Sequence, residues 1–340
     1  MSGNDVESCA RALVAPRKGI LAADESSATM ARRLASVGVE STEETRRRYR
    51  ELLFTTAGIE EFLSGVILYD ETIRQSGRDG TPFAGVLSRK GVIPGIKVDG
   101  GATALAGFPG ERVTEGLDGL RARLSEYRDL GARFTKWRAV ITIGESIPTR
   151  TCIGANARLL ALFAILSQEA GLVPIVEPEV LSDGDHTIDR CEDVTSATLE
   201  QVFSELYQHR VMLEGMLLKP NMVLSGSLCP EQASVNEVAE ATVRCFRRHV
   251  PPAVPGIVFL SGGQSPQLAT ERLNAMNLLG DHPWELSFSY GRALQEPVLQ
   301  AWRGREENVD DAQAVFRHRA RCNSAARSGK YSVEMERAGA

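Results

Sequence analysis

The sequence contains no C-x-x-C pair, and its six cysteines (Cys9, Cys152, Cys191, Cys229, Cys245 and Cys322) are scattered. Zinc ribbons, zinc fingers and thioredoxin-like motifs need ligands paired at fixed spacing, so they are excluded. The five histidines form no H-E-x-x-H or other metal spacing, and no metal site is expected. Basic charge is not in excess either. Lys+Arg 39 against Asp+Glu 44 leaves −5, which provides no global field for nucleic acid or an anionic membrane. The most apolar run, Leu159 to Leu166, is far short of the ~20 residues a bilayer requires. Met1-Ser2-Gly3-Asn4-Asp5 has neither a basic nor an apolar leader region, and Glu336 to Ala340 carries no lipidation or retention signal. Free thiols without a secretory leader make a reducing cytoplasm the expected location. No Pro/Ser-rich linker, low-complexity tract or obvious repeat divides the chain.

What is present is a rhythm. Eight short apolar runs, each opened or closed by Gly or Pro, occur at Gly19–Ala23, Gly65–Tyr69, Gly91–Val98, Phe134–Ile143, Val173–Pro178, Gly215–Pro220, Gly256–Leu260 and Leu286–Tyr290. Helical patterns such as Thr42–Thr56, Gly119–Leu130, Asn156–Ala170, Ser196–Glu205 and Asn236–Val250 lie between them. Strands alternating with helices predict βαβ units and a parallel sheet. At ~150 residues per domain, the 340-residue length hints at two domains. The unit count instead favours a single (β/α)8 TIM barrel with N- and C-terminal extensions, its core spanning about 19–318 and a tail 319–340. The alternative, an open doubly wound sheet, needs a Gly-rich phosphate turn after its first strand, where Gly19-Ile20-Leu21-Ala22-Ala23-Asp24 offers an acid.

The strand-like runs end in residues that a purely structural strand avoids. Asp24-Glu25-Ser26 closes the first, and Lys97-Val98-Asp99 lies in the third. Lys136-Trp137-Arg138 lies in the fourth, Glu177-Pro178-Glu179 in the fifth and Lys219-Pro220-Asn221 in the sixth. Ser261-Gly262-Gly263-Gln264-Ser265 follows the seventh, and Ser289-Tyr290-Gly291-Arg292 the eighth. Strand side chains alternate, so Lys136 and Arg138 share one face, as do Glu177 and Glu179. A barrel delivers every one of these ends to the same rim, where active sites are built.

That set allows a definite chemistry. Lys219 follows Met216-Leu217-Leu218, so its amine emerges from an apolar wall near Lys136. Both conditions favour the neutral amine, a nucleophile that forms a Schiff base with carbonyls. The plainer reading is a lysine that snorkels or pairs with Glu179. Glu177, after Val173-Pro174-Ile175-Val176, suits acid–base work on a carbinolamine or, alternatively, a buried ion network. Asp24 could accept a proton from a substrate hydroxyl or cap the following helix. The Ser261-Gly262-Gly263 turn supplies backbone N–H groups, and Gly291-Arg292 a guanidinium, matching the phosphate site that barrels form after their last two strands. Lys97, Lys136, Arg138, Lys219 and Arg292 should make a local positive funnel. Arg46-Arg47-Arg48-Tyr49-Arg50, preceded by Glu43-Glu44, reads as a solvated helix face, and Asp183-Gly184-Asp185-His186 as a turn.

These motifs, in this order, resemble class I fructose-1,6-bisphosphate aldolase. The matching segments are Gly19–Ser26, Gly95–Asp99, Lys136–Arg138, Ile175–Glu179, Leu217–Met222, Leu260–Ser265 and Phe288–Leu294, and the resemblance runs from about residue 10 to Tyr331. It implies a barrel that reversibly cleaves fructose 1,6-bisphosphate to dihydroxyacetone phosphate and glyceraldehyde 3-phosphate without metal or cofactor, commonly as a tetramer. Lys219 is then similar to the Schiff-base lysine and Glu177 to the acid/base on the carbinolamine. Asp24 takes the C4 hydroxyl proton, and Lys136 assists as a second, charged lysine, with Glu179 beside them in the catalytic set. Ser261, Gly262, Gly263, Ser289, Gly291 and Arg292 hold the ketone-side phosphate. Ser26, Thr29, Arg33, Lys97 and Arg138 handle the other phosphate and the hydroxyls. Where the family has Asp-Glu-Ser-Thr-Gly-Ser, this chain reads Asp24-Glu25-Ser26-Ser27-Ala28-Thr29, an Ala for a Gly that shifts the loop. Animal-type members use a terminal tail Tyr for enamine proton exchange. The last tyrosine here is Tyr331, which implies no such tail residue. A pyridoxal-phosphate enzyme and a catalytically weak binding scaffold are the competing readings.

Overall fold

The computed structural model describes residues 3–337. Eight parallel strands close into a barrel: β1 (Gly19–Ala22), β2 (Leu63–Leu68), β3 (Ile93–Lys97), β4 (Phe134–Ile141), β5 (Val173–Val180), β6 (Leu217–Leu218), β7 (Gly256–Phe259) and β8 (Glu285–Tyr290), with β8 pairing back onto β1. Each coincides with one of the eight expected runs. The strands read as near-continuous apolar segments because both faces are covered. β2 and β5 are buried along their whole length. β6 is short because Pro220 has no N–H to donate, although the Lys219 N–H still bonds the Val176 carbonyl at 2.8 Å.

The period-2 alternation separates two cores. Outward residues such as Leu21, Val66, Ile96, Trp137, Val176, Leu218 and Phe259 pack under the helical ring. Inward residues Ile20, Ile67, Phe134, Val173, Ile175, Leu217 and Val258 form a second cluster, sealed at the barrel floor by Val6, Ala10 and Leu13 of the first helix (Gly3–Leu13). One or two residues further along the same inward rows, the side chains turn polar. The site therefore stands directly on an apolar plug.

The helices start where hydroxyl caps permit. Thr149 caps Arg150–Glu169, Thr187 caps Ile188–Gln208, and Ser234 with Glu237 forms a capping box for Val235–His249. The first two begin one to two turns before the expected starts at Asn156 and Ser196. Asn156 is a mid-helix residue whose amide bonds the Arg112 carbonyl at 2.8 Å, and Ser196 lies against Cys245 Sγ at 3.4 Å. Arg150–Glu169 is long and apolar enough to cross a membrane by length and composition, unlike the short run read from sequence. It lies in the helical ring with Leu160, Phe163 and Ala164 buried. Two further differences stand out. A hairpin, Gly101–Ala104 with Arg112–Glu115, follows β3 and was not foreseen. The expected tail boundary at 318/319 falls inside the helix Val309–Ala326, where Arg319 and Cys322 are buried. All six cysteines are free, and burial pushes the thiols of Cys9, Cys152, Cys245 and Cys322 up to about 11.

Candidate active site

A cavity of about 530 Å³ opens at the C-terminal rim of the barrel. It is lined by Asp24, Ser26, Thr29, Arg33, Lys97, Lys136, Arg138, Glu177, Glu179, Lys219, Ser261, Gly262, Ser289, Gly291 and Arg292. Of the residues singled out from sequence, only Gly263 is not in the wall. It is the second central residue of the Ser261–Gln264 turn, where an added Cβ would lie 3.4 Å from Ser182 Oγ. Strand register explains the convergence: Lys97 pairs with Lys136, and Arg138 with Glu177, across adjacent strands.

The catalytic candidates form one buried ion chain. Lys136 Nζ lies 2.7 Å from Asp24 Oδ2 and 3.1 Å from Glu177 Oε2. Glu177 presents its other oxygen to Lys219 Nζ at 3.2 Å. Lys219 therefore faces Glu177, and Glu179 is taken instead by Arg138. Asp24 is not the helix cap. Ser26 caps Ser27–Ala35, its hydroxyl accepting from the Thr29 N–H, and Ala28 sits in the first helical turn, where Ala is favourable.

The charges set each other's titration. Burial works to raise the Asp24 pKa, but Lys136, Lys219 and Lys97 outweigh it and hold the carboxyl well below the carboxylate range. Burial likewise opposes ionisation of Glu177, and Lys136, Lys219 and Arg138 overcome it, so its pKa is lowered. Burial disfavours the Lys136 ammonium, yet Asp24, Glu177 and Asp99 raise its pKa. Lys136 is thus a fixed cation between two carboxylates.

Sequence reasoning missed the residues that hold these groups. Asp99 accepts from Lys97 Nζ at 2.6 Å and from the Gly101 and Arg138 N–H groups, tying the hairpin to the rim. Glu25 binds Arg33, buried Arg50 at 2.6 Å and Gln295 Nε2 at 2.8 Å. Tyr69, Ala22, Val140, Leu260 and the Gly100–Ala102 backbone complete the wall. Asp99 and Glu25 stood inside the motifs already quoted. Arg50 and Gln295 had no local signal, being 245 residues apart.

The expected positive funnel is corrected by this pairing. Six basic and five acidic side chains line the cavity, and among the described residues only Arg292 of those cations has no carboxylate partner. Beside it, Ser289 Oγ is buried without a hydrogen bond. The neighbouring turn has both central φ angles positive, +41° at Gly262 and +79° at Gly263, and closes with Gln264 N–H on the Ser261 carbonyl at 3.0 Å. Only glycine adopts two such conformations readily. An unpaired guanidinium, an unsatisfied hydroxyl and a glycine turn suit a phosphate dianion.

The model of the family described as fructose-bisphosphate aldolase class-I matches residues 5–340. The chain belongs to the class I fructose-bisphosphate aldolases. It is 58% identical to the probable fructose-bisphosphate aldolase class 1 of Xanthomonas campestris pv. campestris, over 97% of this chain and 99% of that protein. It is 56% identical to the cytosolic fructose-bisphosphate aldolase 5 of Arabidopsis thaliana, over 95% and 90%. The Plasmodium falciparum fructose-bisphosphate aldolase, solved with TRAP and a small-molecule inhibitor, superposes with a TM-score of 0.96 at 48% identity, over 97% and 95%. This aldolase is accordingly a lyase of phosphorylated sugars with the barrel of its family. Its Tyr331 lies outside the cavity wall, with its hydroxyl donating to Glu336 at 2.8 Å. Contrary to the spacing argument, the fold does gather His318, Cys322 and Glu336 within 4.8 Å. Glu336 is already engaged by the Arg319 guanidinium, which opposes a cation there.

Proposed function

We propose that Lys219 is the Schiff-base nucleophile of this aldolase and Glu177 its proton carrier. The observation that carries the reading is Glu177 placed between two amines, 3.1 Å from Lys136 and 3.2 Å from Lys219 on opposite oxygens. Glu177, ionised at rest, takes a proton from the Lys219 ammonium, and the freed amine adds to the substrate C2 carbonyl. Glu177 then returns that proton to the carbinolamine hydroxyl, which leaves as water and yields the protonated imine. Asp24, also ionised, removes the C4 hydroxyl proton. The C3–C4 pair flows into the imine as an enamine, and the aldehyde departs. Protonation of the enamine and hydrolysis release the ketone and restore Lys219. Lys136 stays charged and steadies both carboxylates. Glu179 fixes Arg138, and Arg138 and Lys97 reach the hydroxyls.

Arg292 with Ser261, Gly262, Ser289 and Gly291 holds the ketone-side phosphate. Ser26, Thr29 and Arg33 face the other, and Gly263 acts through the turn rather than by contact. The whole chain is one domain around this barrel and works in the cytoplasm as a homotetramer. The cytosolic names of its plant relatives support that location, and exposed Tyr207 and Leu228 offer apolar surface for subunit contact.

Borohydride reduction with dihydroxyacetone phosphate should attach substrate irreversibly to Lys219, and Lys219→Ala should abolish both attachment and cleavage. Unlabelled protein, or activity lost to EDTA, overturns the assignment.

A further inference from the structure

The phosphate turn is a conformational hazard. Ser261–Gln264 has glycine at both central positions, with the φ pattern of a type I′ turn. In a Gly-Gly turn the central peptide can flip at little steric cost, because either residue tolerates either sign of φ. A flip changes ψ at Gly262 and φ at Gly263 and reverses the carbonyl and N–H of the peptide joining them. The shape of the turn, whose Ser261 and Gly262 line the cavity, would then change with it.

One side chain outside the expected site opposes this. Ser182 Oγ, from the loop after β5, donates to the Gly262 carbonyl at 3.0 Å. That loop is itself anchored. The Ser182, Gly184 and His186 carbonyls accept from the Ser227, Leu228 and Gly226 N–H groups respectively, each at 2.8 Å. The two loops approach so closely that a Cβ at Gly226 would sit 2.3 Å from the Gly184 carbonyl oxygen. Ser182 therefore reaches the turn from a stitched platform, not from a free loop.

We propose that Ser182 is a positioning residue: its hydroxyl locks the Gly262–Gly263 peptide and so presets the turn for the substrate phosphate. It touches no substrate, and it is not among the residues lining the cavity. The inference rests on the reading that this turn and Arg292 hold the ketone-side phosphate. A pre-set turn lowers the cost of ordering on binding, so the hydroxyl acts on phosphate affinity and not on the carbon chemistry.

The test compares a ligand that carries the phosphate with one that does not. Lys219 trapping by borohydride is titrated with dihydroxyacetone phosphate and with dihydroxyacetone, in wild type, Ser182→Ala and Ser182→Thr. One lost neutral hydrogen bond predicts a roughly 3- to 10-fold higher half-saturating concentration of dihydroxyacetone phosphate for S182A. Dihydroxyacetone should be unaffected, and S182T should restore the wild-type value. Inorganic phosphate binding, followed by calorimetry, should weaken by the same factor without involving Lys219. Unchanged phosphate-ligand affinity in S182A overturns the proposal, as does an equal loss for both ketones. Absence of trapping in wild type strikes the Lys219 assignment instead, and the calorimetric comparison still decides for or against Ser182.

Discussion

Replacing Lys136 by Met removes the one cation that touches both Asp24 and Glu177. The three side chains are 4%, 12% and 4% exposed, so water replaces little of the lost ammonium. Breaking a buried pair by removing one partner costs about 3–5 kcal/mol, because the remaining charge is left desolvated. At about 2.1 cal/mol/K of unfolding entropy per residue, 1 kcal/mol moves the midpoint of a chain this long by roughly 1–2 °C. K136M should therefore melt roughly 4–7 °C below wild type at pH 7. The pH dependence is the sharper readout. In wild type both carboxyls titrate below their ordinary values, so their stabilisation is present above about pH 4 and fades only at lower pH. Without Lys136, only Lys219 and Lys97 are left to offset burial at Asp24, so its folded pKa moves up from the wild-type value. Glu177 keeps Lys219 at 3.2 Å and moves less. The folded variant then binds protons at higher pH than folded wild type does, so the stability difference between them shrinks as pH falls. Parallel melts at pH 5, 6, 7 and 8 should show the gap to wild type narrowing toward pH 5. A gap that is constant or widens on acidification refutes the claim that Lys136 holds these carboxylates ionised.

Two further perturbations address the phosphate site and the barrel floor. Arg292→Met removes the unpaired guanidinium of the cavity. A charge-assisted hydrogen bond contributes about 1.5–3 kcal/mol, so KM for fructose 1,6-bisphosphate should rise roughly 10- to 100-fold, and an unchanged KM would exclude Arg292 from phosphate contact. Gly95→Ala places a Cβ 2.3 Å from ring carbons of Phe134 inside the closed barrel. Overpacking of this kind costs about 1–3 kcal/mol, so the melting midpoint should fall by a few degrees. No loss would mean that the ring moves freely.

Much of this arrangement is legible from the chain because a parallel barrel leaves a strong imprint. Strands buried on both faces must be apolar, so Asp24, Lys136, Glu177 and Lys219 at their ends stand out. The period of two alone places Lys136 with Arg138, and Glu177 with Glu179. What escaped depends on contacts distant in sequence. Arg50 lies mid-helix within Arg46–Arg50, a cluster that reads as a solvated face, yet it is 2% exposed and bound to Glu25 and Gln295. Asp24 and Ser26 are both sound helix caps by type; the Thr29 N–H donates to Ser26 Oγ, and Asp24 lies instead 2.7 Å from Lys136 Nζ. Asn156 looked like a helix start because a polar residue opened an apolar stretch. Its partners, the Arg112 carbonyl and the Thr114 N–H, belong to a hairpin with no apolar rhythm to announce it. His318, Cys322 and Glu336 meet only because the chain turns back after Ala326.

The same inward rows explain how so many charges can be buried. Burying an isolated ion costs far more than a domain's net stability, so each must be compensated where it sits. Here the ends of β1, β3, β4, β5 and β6 contribute charged side chains, and cation and anion alternate: Asp99 with Lys97, Asp24 with Lys136, Glu177 between Lys136 and Lys219, Glu179 with Arg138. The apolar plug of Phe134, Ile175 and Leu217 below keeps water from entering behind them. Removing one charge therefore leaves its neighbours with little solvent to turn to, which is why the penalty for K136M should be large and should ease on protonation. Arg292 breaks the alternation. Arg292 is exposed and has no carboxylate partner among the described residues, so its guanidinium is free to meet a phosphate dianion.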